Sequence, residues 1–414
     1  MSVPHGSIAR AMVGSPLRKP AVGCLFSAIL LLMFGIAFLG HVTIWIAEPL
    51  PAVTLFLSTV GLATLASLPA FGLLWLLDRR ERESTWLVIG AVLWGAVIST
   101  GLSAIFNALG YGFISVSLEI INGVEGSQIG EFLTAAIVAP FVEESAKGIA
   151  VLVLLWFLRA EFDNLRDGII YGALVGLGFN IAEVALYVMN GYIETGRAPF
   201  GEQFAARFVF LGINGHLLWS ALCGAGIGIA RQTPNGCLRW FAPVGGYAVA
   251  VLGHMLNNSV GVFVLAIILV AMGFDLEQGL NIPAPSMWFA AAIMNTIVQG
   301  MWYILLGIML FLSAQWERSV IRTFLSDEVG TTVTHEEYEE ILKDRPLVGT
   351  RRLARTQGQS AHAIANAQNE LAFRKWHVAR EGGNPEQDPL IAAWRRDIAA
   401  LRDSSVRSVP PQTT

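Results

Sequence analysis

Charged side chains are scarce in this sequence. Only 14% of its 414 residues are Asp, Glu, Lys or Arg, while 54% are hydrophobic. An ordinary soluble domain carries about 25% charged residues. The shortage of charge therefore excludes a water-soluble protein for most of the chain and places it in a lipid bilayer.

Other common features are missing as well. The three cysteines, Cys24, Cys223 and Cys237, have no CxxC spacing, which argues against a disulfide framework or a zinc knot and predicts unpaired thiols. The net charge of -4 lacks the basic surplus expected of a protein that binds nucleic acid. The sequence also has no internal repeat, no glycine-rich phosphate loop and no HExxH motif.

Long apolar stretches fill most of the chain. A helix that crosses a bilayer needs about 20 predominantly apolar residues. We therefore predict an all-α, polytopic transmembrane helical bundle of about eight spans. The spans are predicted at 21–46, 52–77, 86–109, 132–158, 168–190, 208–230, 241–271 and 287–314. The first is longer than the apolar region of a signal peptide, about 7–15 residues, so we expect it to be retained.

Positive charges orient the predicted spans. Lys and Arg accumulate on the cytoplasmic side of membrane proteins. The arginines cluster after spans two, four, six and eight, namely Arg79, Arg80, Arg82, Arg159, Arg166, Arg231, Arg239, Arg318 and Arg322. We therefore expect a multi-pass protein of the cell membrane with both termini in the cytoplasm.

The predicted domain organisation has three parts. Residues 1–20 form a cytoplasmic N-terminus, and residues 21–314 form the transmembrane domain, whose motif core covers 131–271. Residues 315–414 have a mixed, nearly balanced charge and predict a soluble cytoplasmic tail of broken helices. For this tail we favour a solvated helical appendage over a docking domain. Residues 404–414 are expected to be disordered.

Ionisable and polar residues interrupt four consecutive predicted spans. A charge at the bilayer centre is costly, so each such residue is expected to face a partner, a cavity or a functional site. The set comprises Glu143, Glu144, Lys147, Glu183, His216, His254 and Asn258. Counting about 1.5 Å of rise per residue places them in one middle-to-outer layer, which predicts a shared cavity.

The glutamates of span four allow two interpretations. Lys147 lies three and four residues after Glu144 and Glu143, so it can reach both carboxylates on one helix face. If the lysine neutralises one carboxylate, the other is available as a general base or acid. The alternative is a structural Glu–Lys pair that ties helices together.

The remaining polar residues also have structural alternatives. Glu183 could be a proton relay or a helix–helix hydrogen bond, and a single buried histidine is more often a satisfied hydrogen-bonding residue than a ligand. Two histidines on successive spans, His216 and His254, are harder to explain in this way. Asn258 follows His254 by four residues and is predicted on its face. For His41, near the outer end of span one, the structural reading is favoured.

Four segments carry a family resemblance. They are APFVEESAKG (139–148), DGIIYGALVGLGFNIAE (167–183), GHLLWSALCGAGIG (215–228) and GHMLNNS (253–259). Their order resembles that of the PrsW family of intramembrane proteases, relatives of the CAAX-processing and bacteriocin-processing membrane glutamate proteases. The resemblance implies hydrolysis of a peptide bond within a single-span membrane protein, with family members known to cut an anti-sigma factor. It also implies that Glu143 and Glu144 supply the carboxylate that activates water.

Two mechanisms fit the residues that the resemblance implies. In the first, a glutamate is the general base on water, while the histidines and Asn258 stabilise the oxyanion, and no metal is needed. In the second, Glu183, His216 and His254 bind zinc. The absence of HExxH favours the metal-independent route. The rival functions are a proton-coupled transporter or channel that uses the same residues, and an inactive scaffold.

Overall fold

A computed structural model describes residues 15–80, 83–122, 127–158, 161–275, 282–343 and 360–407. Within these ranges the regular structure is helical and contains no β-strand, which confirms the prediction of an all-α protein. The described residues form two compact units. A membrane unit comprises 15–74 and 85–309, and a C-terminal unit comprises 75–84 and 310–407.

The helices are numbered in chain order. They are α1 (Pro20–Ala47), α2 (Leu50–Ala66), α3 (Leu68–Leu77), α4 (Thr85–Leu93), α5 (Thr100–Asn122), α6 (Ser127–Leu133), α7 (Ala139–Phe157), α8 (Leu165–Thr195), α9 (Phe200–Phe208), α10 (His216–Gln232), α11 (Gly236–Leu256), α12 (Val262–Ala271), α13 (Ala284–Leu325), α14 (His335–Lys343), α15 (Ser360–Arg380) and α16 (Pro389–Arg407).

Seven of the eight predicted spans correspond to helices, or bent helix pairs, long and apolar enough to cross a membrane. Five are single stretches, and two are pairs bent by 43° (α2 with α3) and 47° (Phe200–Gly212 with α10). The fourth prediction corresponds to a helical stretch over 127–157, whose apolar character is interrupted by Glu143, Glu144 and Lys147. The predicted third span ends at 109 and the fourth begins at 132, which leaves 110–131 as a connecting loop; this is wrong, because α5 continues to Asn122 and α6 begins at Ser127.

Helix α8 is the buried axis of the membrane unit. Its first turn is fixed by a capping box, in which the Asn164 side chain accepts from the backbone N–H of Asp167 and the Asp167 carboxylate accepts from that of Asn164. Glycines on one face let α10 approach closely. A Cβ at Gly172 would lie 2.1 Å from the Ser220 carbonyl oxygen, and one at Gly176 would lie 2.2 Å from that of His216.

Irregular turns interrupt the helices of the membrane unit. Three π-helical turns occur at Trp94–Ser99, Thr134–Val138 and Asn257–Gly261. A fourth break lies between α9 and α10, where Phe210 and Leu211 adopt φ values of 55° and 63° that bulky side chains rarely accept. In a membrane-spanning segment, irregular backbone is tolerated only where it is buried in protein or lines a cavity. π-turns are frequent at functional sites.

The C-terminal unit has a hydrophobic core of its own. Its centre includes Ile321, Leu325, Phe373, Trp394 and Ile398. The tail therefore folds into a packed unit and is more than a solvated appendage. Helix α16 ends at Arg407, so it includes the first part of the segment 404–414 that is expected to be disordered, and 408–414 lie outside the described residues.

Ion pairs lie inside the C-terminal unit. The carboxylate of the buried Glu328 accepts hydrogen bonds from Lys375 at 2.8 Å and from Arg395 at 2.6 Å. Arg80 donates to Glu317 at 3.2 Å, and both of these side chains are buried. Charges buried in this way are stable only when they are paired.

Candidate active site

Helices α7, α8, α10 and α11 bring six of the seven predicted site residues together. Glu143, Glu144 and Lys147 project from α7, Glu183 from α8, and His216 and His254 from the start of α10 and the end of α11. All six are buried. The convergence predicted from span depth is therefore present in the structure.

Lys147 links α7 to α10. Its Nζ lies 2.6 Å from Glu144 Oε1 and 2.9 Å from His216 Nδ1. It also lies 4.3 Å from the centre of the Phe179 ring, within the range of a cation–π contact. The lysine therefore forms the Glu–Lys pair expected along α7 and also contacts a histidine on another helix.

Each histidine is backed by a carboxylate. His254 Nδ1 lies 3.0 Å from Glu144 Oε1, and His216 Nε2 lies 2.8 Å from Glu183 Oε2. A carboxylate that accepts from one ring nitrogen fixes the tautomer and leaves the opposite nitrogen as an acceptor or a metal ligand. The nitrogens left in this way are His216 Nδ1 and His254 Nε2.

Glu143 lies where these two nitrogens meet. Its Oε1 accepts a hydrogen bond from Asn107 at 3.2 Å. Its Oε2 is buried without a hydrogen-bond partner among the described residues. This oxygen is 3.9 Å from His216 Nδ1 and 3.9 Å from His254 Nε2. A buried acceptor without a donor is costly and commonly marks a site for water, an ion or a ligand.

The charges of the site do not balance. The carboxylates of Glu143, Glu144 and Glu183 face two cations, because Lys147 pairs with Glu144 and Arg207 pairs with Glu183 at 3.1 Å. Glu143 is thus the carboxylate without an ion-pair partner in this cluster. Because an uncompensated buried charge is unfavourable, Glu143 needs either a proton or a nearby cation.

Glu143, His216 and His254 fit a metal ion. One ligand atom from each residue lies within 4.8 Å of the others. Ligands of a tetrahedral zinc ion lie about 3.4 Å apart, since zinc–ligand bonds are about 2.0–2.2 Å. The 3.9 Å separations from Glu143 would therefore have to close by about half an ångström, and a pair as wide as 4.8 Å would have to close by more. Lys147, which contacts His216 Nδ1, would have to turn aside.

Glu183 and Asn258 make contacts that the sequence did not predict. Glu183 Oε2 contacts His216 Nε2 and the Arg207 guanidinium, whereas Glu143 is the carboxylate that lies with His216 and His254 in a group that could hold a metal ion. The Asn258 amide donates to the Ala135 carbonyl at 2.9 Å. A π-helical turn begins at Asn257, directly before Asn258.

Several residues around the site were not predicted. They are Asn107 beside Glu143, Arg207 beside Glu183, Trp219, whose ring stacks on His254 at 4.3 Å, and Gln299 on α13. Arg207 lies between the predicted fifth and sixth spans, and an arginine at this place was a signal in the sequence for a buried carboxylate. The others are uncharged and carry no comparable signal.

Gln299 holds the irregular segment that precedes His216. Its side-chain oxygen accepts from the Gly215 backbone N–H at 3.0 Å, and its amide donates to Asn257 at 3.0 Å and to Asn295 at 2.7 Å. Gly215 has φ 57° and ψ -127°, a conformation essentially limited to glycine. Helix α13 therefore fixes the start of α10 and the π-turn after His254.

His41 lies apart from this network. Its Nδ1 lies 2.9 Å from the Ala37 carbonyl oxygen within α1, as expected for a structural residue. The cysteines Cys24, Cys223 and Cys237 are free, as predicted.

The part of the chain that holds this site is similar to known proteins. Residues 83–278 match the model of the PrsW family intramembrane metalloproteases. The chain is 30% identical over 157 residues to Protease PrsW of Bacillus subtilis and 29% identical over 158 residues to Protease PrsW of Geobacillus kaustophilus. Each match covers 38% of this chain, and the two matches cover 62% and 60% of those relatives.

No solved structure matches the chain significantly. The matched segment contains Glu143, Glu144, Lys147, Glu183, His216 and His254, and it ends before Gln299. The segment 83–278 of this multi-pass membrane protein is thus similar to the PrsW family of intramembrane metalloproteases.

Proposed function

We propose that this protein is an intramembrane endopeptidase that hydrolyses a peptide bond in a single-span membrane protein. The observation that carries the proposal is the position of Glu143 Oε2, buried without a partner and 3.9 Å from a nitrogen of each histidine. The match of residues 83–278 to the PrsW family model supports the reaction class. An anti-sigma factor is the substrate type to which the family resemblance points.

The residues of the chain divide the work of hydrolysis. Glu143, His216 and His254 face a common point where water and the scissile carbonyl can meet. Glu144 and Glu183 hold the histidine rings in their tautomers. The Lys147 ammonium, which is buried and paired with Glu144, can donate to the oxyanion as it forms.

We propose zinc as the cation that balances the charge of Glu143, held by Glu143, His216 and His254. Support comes from the donor set, since two histidines and a glutamate are a known zinc ligand set, and from the carboxylate behind each histidine. When bound, zinc supplies a Lewis acid that polarises the carbonyl and activates water. This proposal replaces the metal-free route that the missing HExxH motif favours.

One experiment tests both parts of the proposal. Purified protein is reconstituted with a single-span test substrate, and cleavage and zinc content are measured before and after chelation. We expect about one zinc per chain, and loss of cleavage when it is removed. Glu143→Gln should lower cleavage by at least about 10³-fold, because it removes a ligand of the reaction centre.

The control is Glu131→Gln, which lies on the same helical stretch at an exposed position and should leave cleavage unchanged. Cleavage by the Glu143→Gln variant at the unaltered rate would contradict the proposed centre. Full activity in metal-free protein would contradict the zinc proposal alone. A proton-coupled transporter is not favoured, because the matched family consists of proteases.

A further inference from the structure

A cavity of about 210 Å³ lies beside the candidate active site, between α7, α10 and α11. Its inner wall is formed by the buried residues Glu144, Gly148, Cys223 and Ile227. Its rim includes Ile149, which is exposed on the outer surface of the membrane unit. The cavity therefore connects the site to the lipid-facing surface.

Gly148 and Pro243 border this space. A Cβ built on Gly148 would meet Cys223 Sγ at 3.3 Å, so the cysteine side chain packs directly against the glycine and forms the wall there. Pro243 lies inside α11, where its ring removes one backbone hydrogen bond. A larger side chain at position 148 or 223 would reduce the space.

The lining suits an apolar group of about the size of an aromatic ring. Apart from Glu144, the buried wall consists of glycine, cysteine and isoleucine. A dry cavity of about 150 Å³ with apolar walls binds benzene, so this larger cavity can hold a leucine, methionine or phenylalanine side chain. Small rigid cavities discriminate among such groups by size.

Glu144 joins the cavity to the catalytic residues. The same carboxylate that lines the cavity lies 2.6 Å from Lys147 Nζ and 3.0 Å from His254 Nδ1. At the rim, the Tyr247 hydroxyl bridges α11 to α7 through Ser145 Oγ at 2.8 Å and the Phe141 carbonyl oxygen at 3.3 Å. A group in the cavity thus lies one residue away from the reaction centre.

We propose that this cavity receives one large apolar side chain of the membrane-spanning substrate and selects for it near the scissile bond. The proposal rests on the proposed protease function. The occupant is a substrate side chain and not a lipid tail, because the cavity ends on the carboxylate that positions the catalytic lysine and histidine. An occupied cavity sets the register of the substrate against Glu143.

The test uses synthetic single-span peptides of alanine and valine, with one phenylalanine moved along the span, in liposomes with the full-length protein. We expect phenylalanine at one position to raise cleavage about tenfold over the unsubstituted span. Cys223→Leu, which fills the cavity, should remove this preference. Cys223→Ser, of nearly equal size, should keep it, as should Cys237→Leu at an exposed position of α11. Thermal unfolding in detergent verifies that each variant is folded.

A second measurement does not depend on cleavage. The same peptides, with benzoylphenylalanine as the guest, are photocrosslinked to the Glu143→Gln variant, and the attachment sites are mapped. We expect attachment at the lining residues Gly148, Cys223 or Tyr247. If the peptides attach there but the unaltered protein cleaves none of them, the protease function is overturned, while the cavity is supported as a binding site. A preference unchanged by Cys223→Leu, or attachment of lipid alone in the cavity, would overturn the cavity proposal.

Discussion

At the scale of single residues, two adjacent glutamates have separate tasks. Glu144 pairs with Lys147 and holds His254, whereas Glu143 keeps one oxygen without a partner. The sequence treats them alike, because both lie within reach of Lys147 along the helix. Their division of labour follows from contacts with other helices, namely Asn107 on α5 for Glu143 and His254 on α11 for Glu144.

The pair Glu144 and Lys147 gives a prediction about stability. Glu144→Gln leaves the Lys147 ammonium buried without its partner, which should lower the free energy of unfolding by about 3–5 kcal/mol. Adding Lys147→Met to this variant should recover most of the loss, although neither variant should be fully active. The measurement is reversible unfolding in mixed micelles. A loss of stability that Lys147→Met deepens would contradict the pairing.

At the scale of helices, the site depends on a break in regular structure. The segment between α9 and α10 turns the backbone through positive φ values before His216, and Gln299 accepts the Gly215 N–H that this turn leaves free. A buried backbone N–H without a hydrogen-bond partner lowers the stability of the fold. Helix α13 therefore positions His216 although it adds no group to the reaction centre.

Gln299 should act as a positioning residue. We expect Gln299→Leu to lower kcat at least about tenfold with KM little changed, because His216 loses its support while the substrate surface stays intact. Gln299→Glu, which keeps an acceptor for the Gly215 N–H, should recover part of the rate. Thr296→Leu, at an exposed position one turn earlier, serves as the control. An equal loss of rate in the Gln299→Leu and Thr296→Leu variants would contradict this role.

The cap of α16 gives a prediction about pH. Burial raises the pKa of Asp388, but hydrogen bonds from Arg374 and from the backbone N–H groups of Leu390 and Ile391 outweigh it and hold the pKa below its ordinary value of 3.8. Because the folded pKa is the lower one, Asp388 stabilises α16 above about pH 3.8, and this contribution is lost as the pH falls through the folded pKa.

Asp388→Ala should therefore destabilise α16 by about 1 kcal/mol at pH 7, and by less as the pH falls through the folded pKa. Asp388→Asn, which keeps the cap, should cost less at pH 7. Hydrogen exchange of peptides from 389–407, followed by mass spectrometry, measures the effect locally. A penalty for Asp388→Ala that stays constant from pH 7 to pH 2 would count against the ionised carboxylate.

At the scale of the whole molecule, we propose that both termini lie in the cytoplasm. The proposal comes from the arginines that follow every second span, and Cys24 and Cys237 provide exposed thiols on the predicted cytoplasmic side. A membrane-impermeant maleimide should label them in inverted vesicles but not in intact cells. Glu194→Cys, in the 191–207 segment predicted to lie outside, should show the opposite pattern. Labelling of Cys237 in intact cells would overturn the orientation.

The sequence alone determined the class of the molecule and most of its spans. Apolar runs of about 20 residues have one stable outcome in lipid, and the cost of charges in such runs marks the residues of the site. Helical periodicity also predicted the contact between Lys147 and Glu144, because residues three apart share a face.

Only the tertiary structure decided which atoms meet. Periodicity holds only within one regular helix, so it does not identify the partner of the Asn258 amide, the Ala135 carbonyl 123 residues away. It gave no information on Gln299 or Asn107, whose partners are 84 and 36 residues away. The position of Glu143, rather than Glu183, between the two histidines has the same origin. The rotation of each helix about its axis is fixed by packing, such as the close approach of α8 and α10 at Gly176, and local sequence does not encode it.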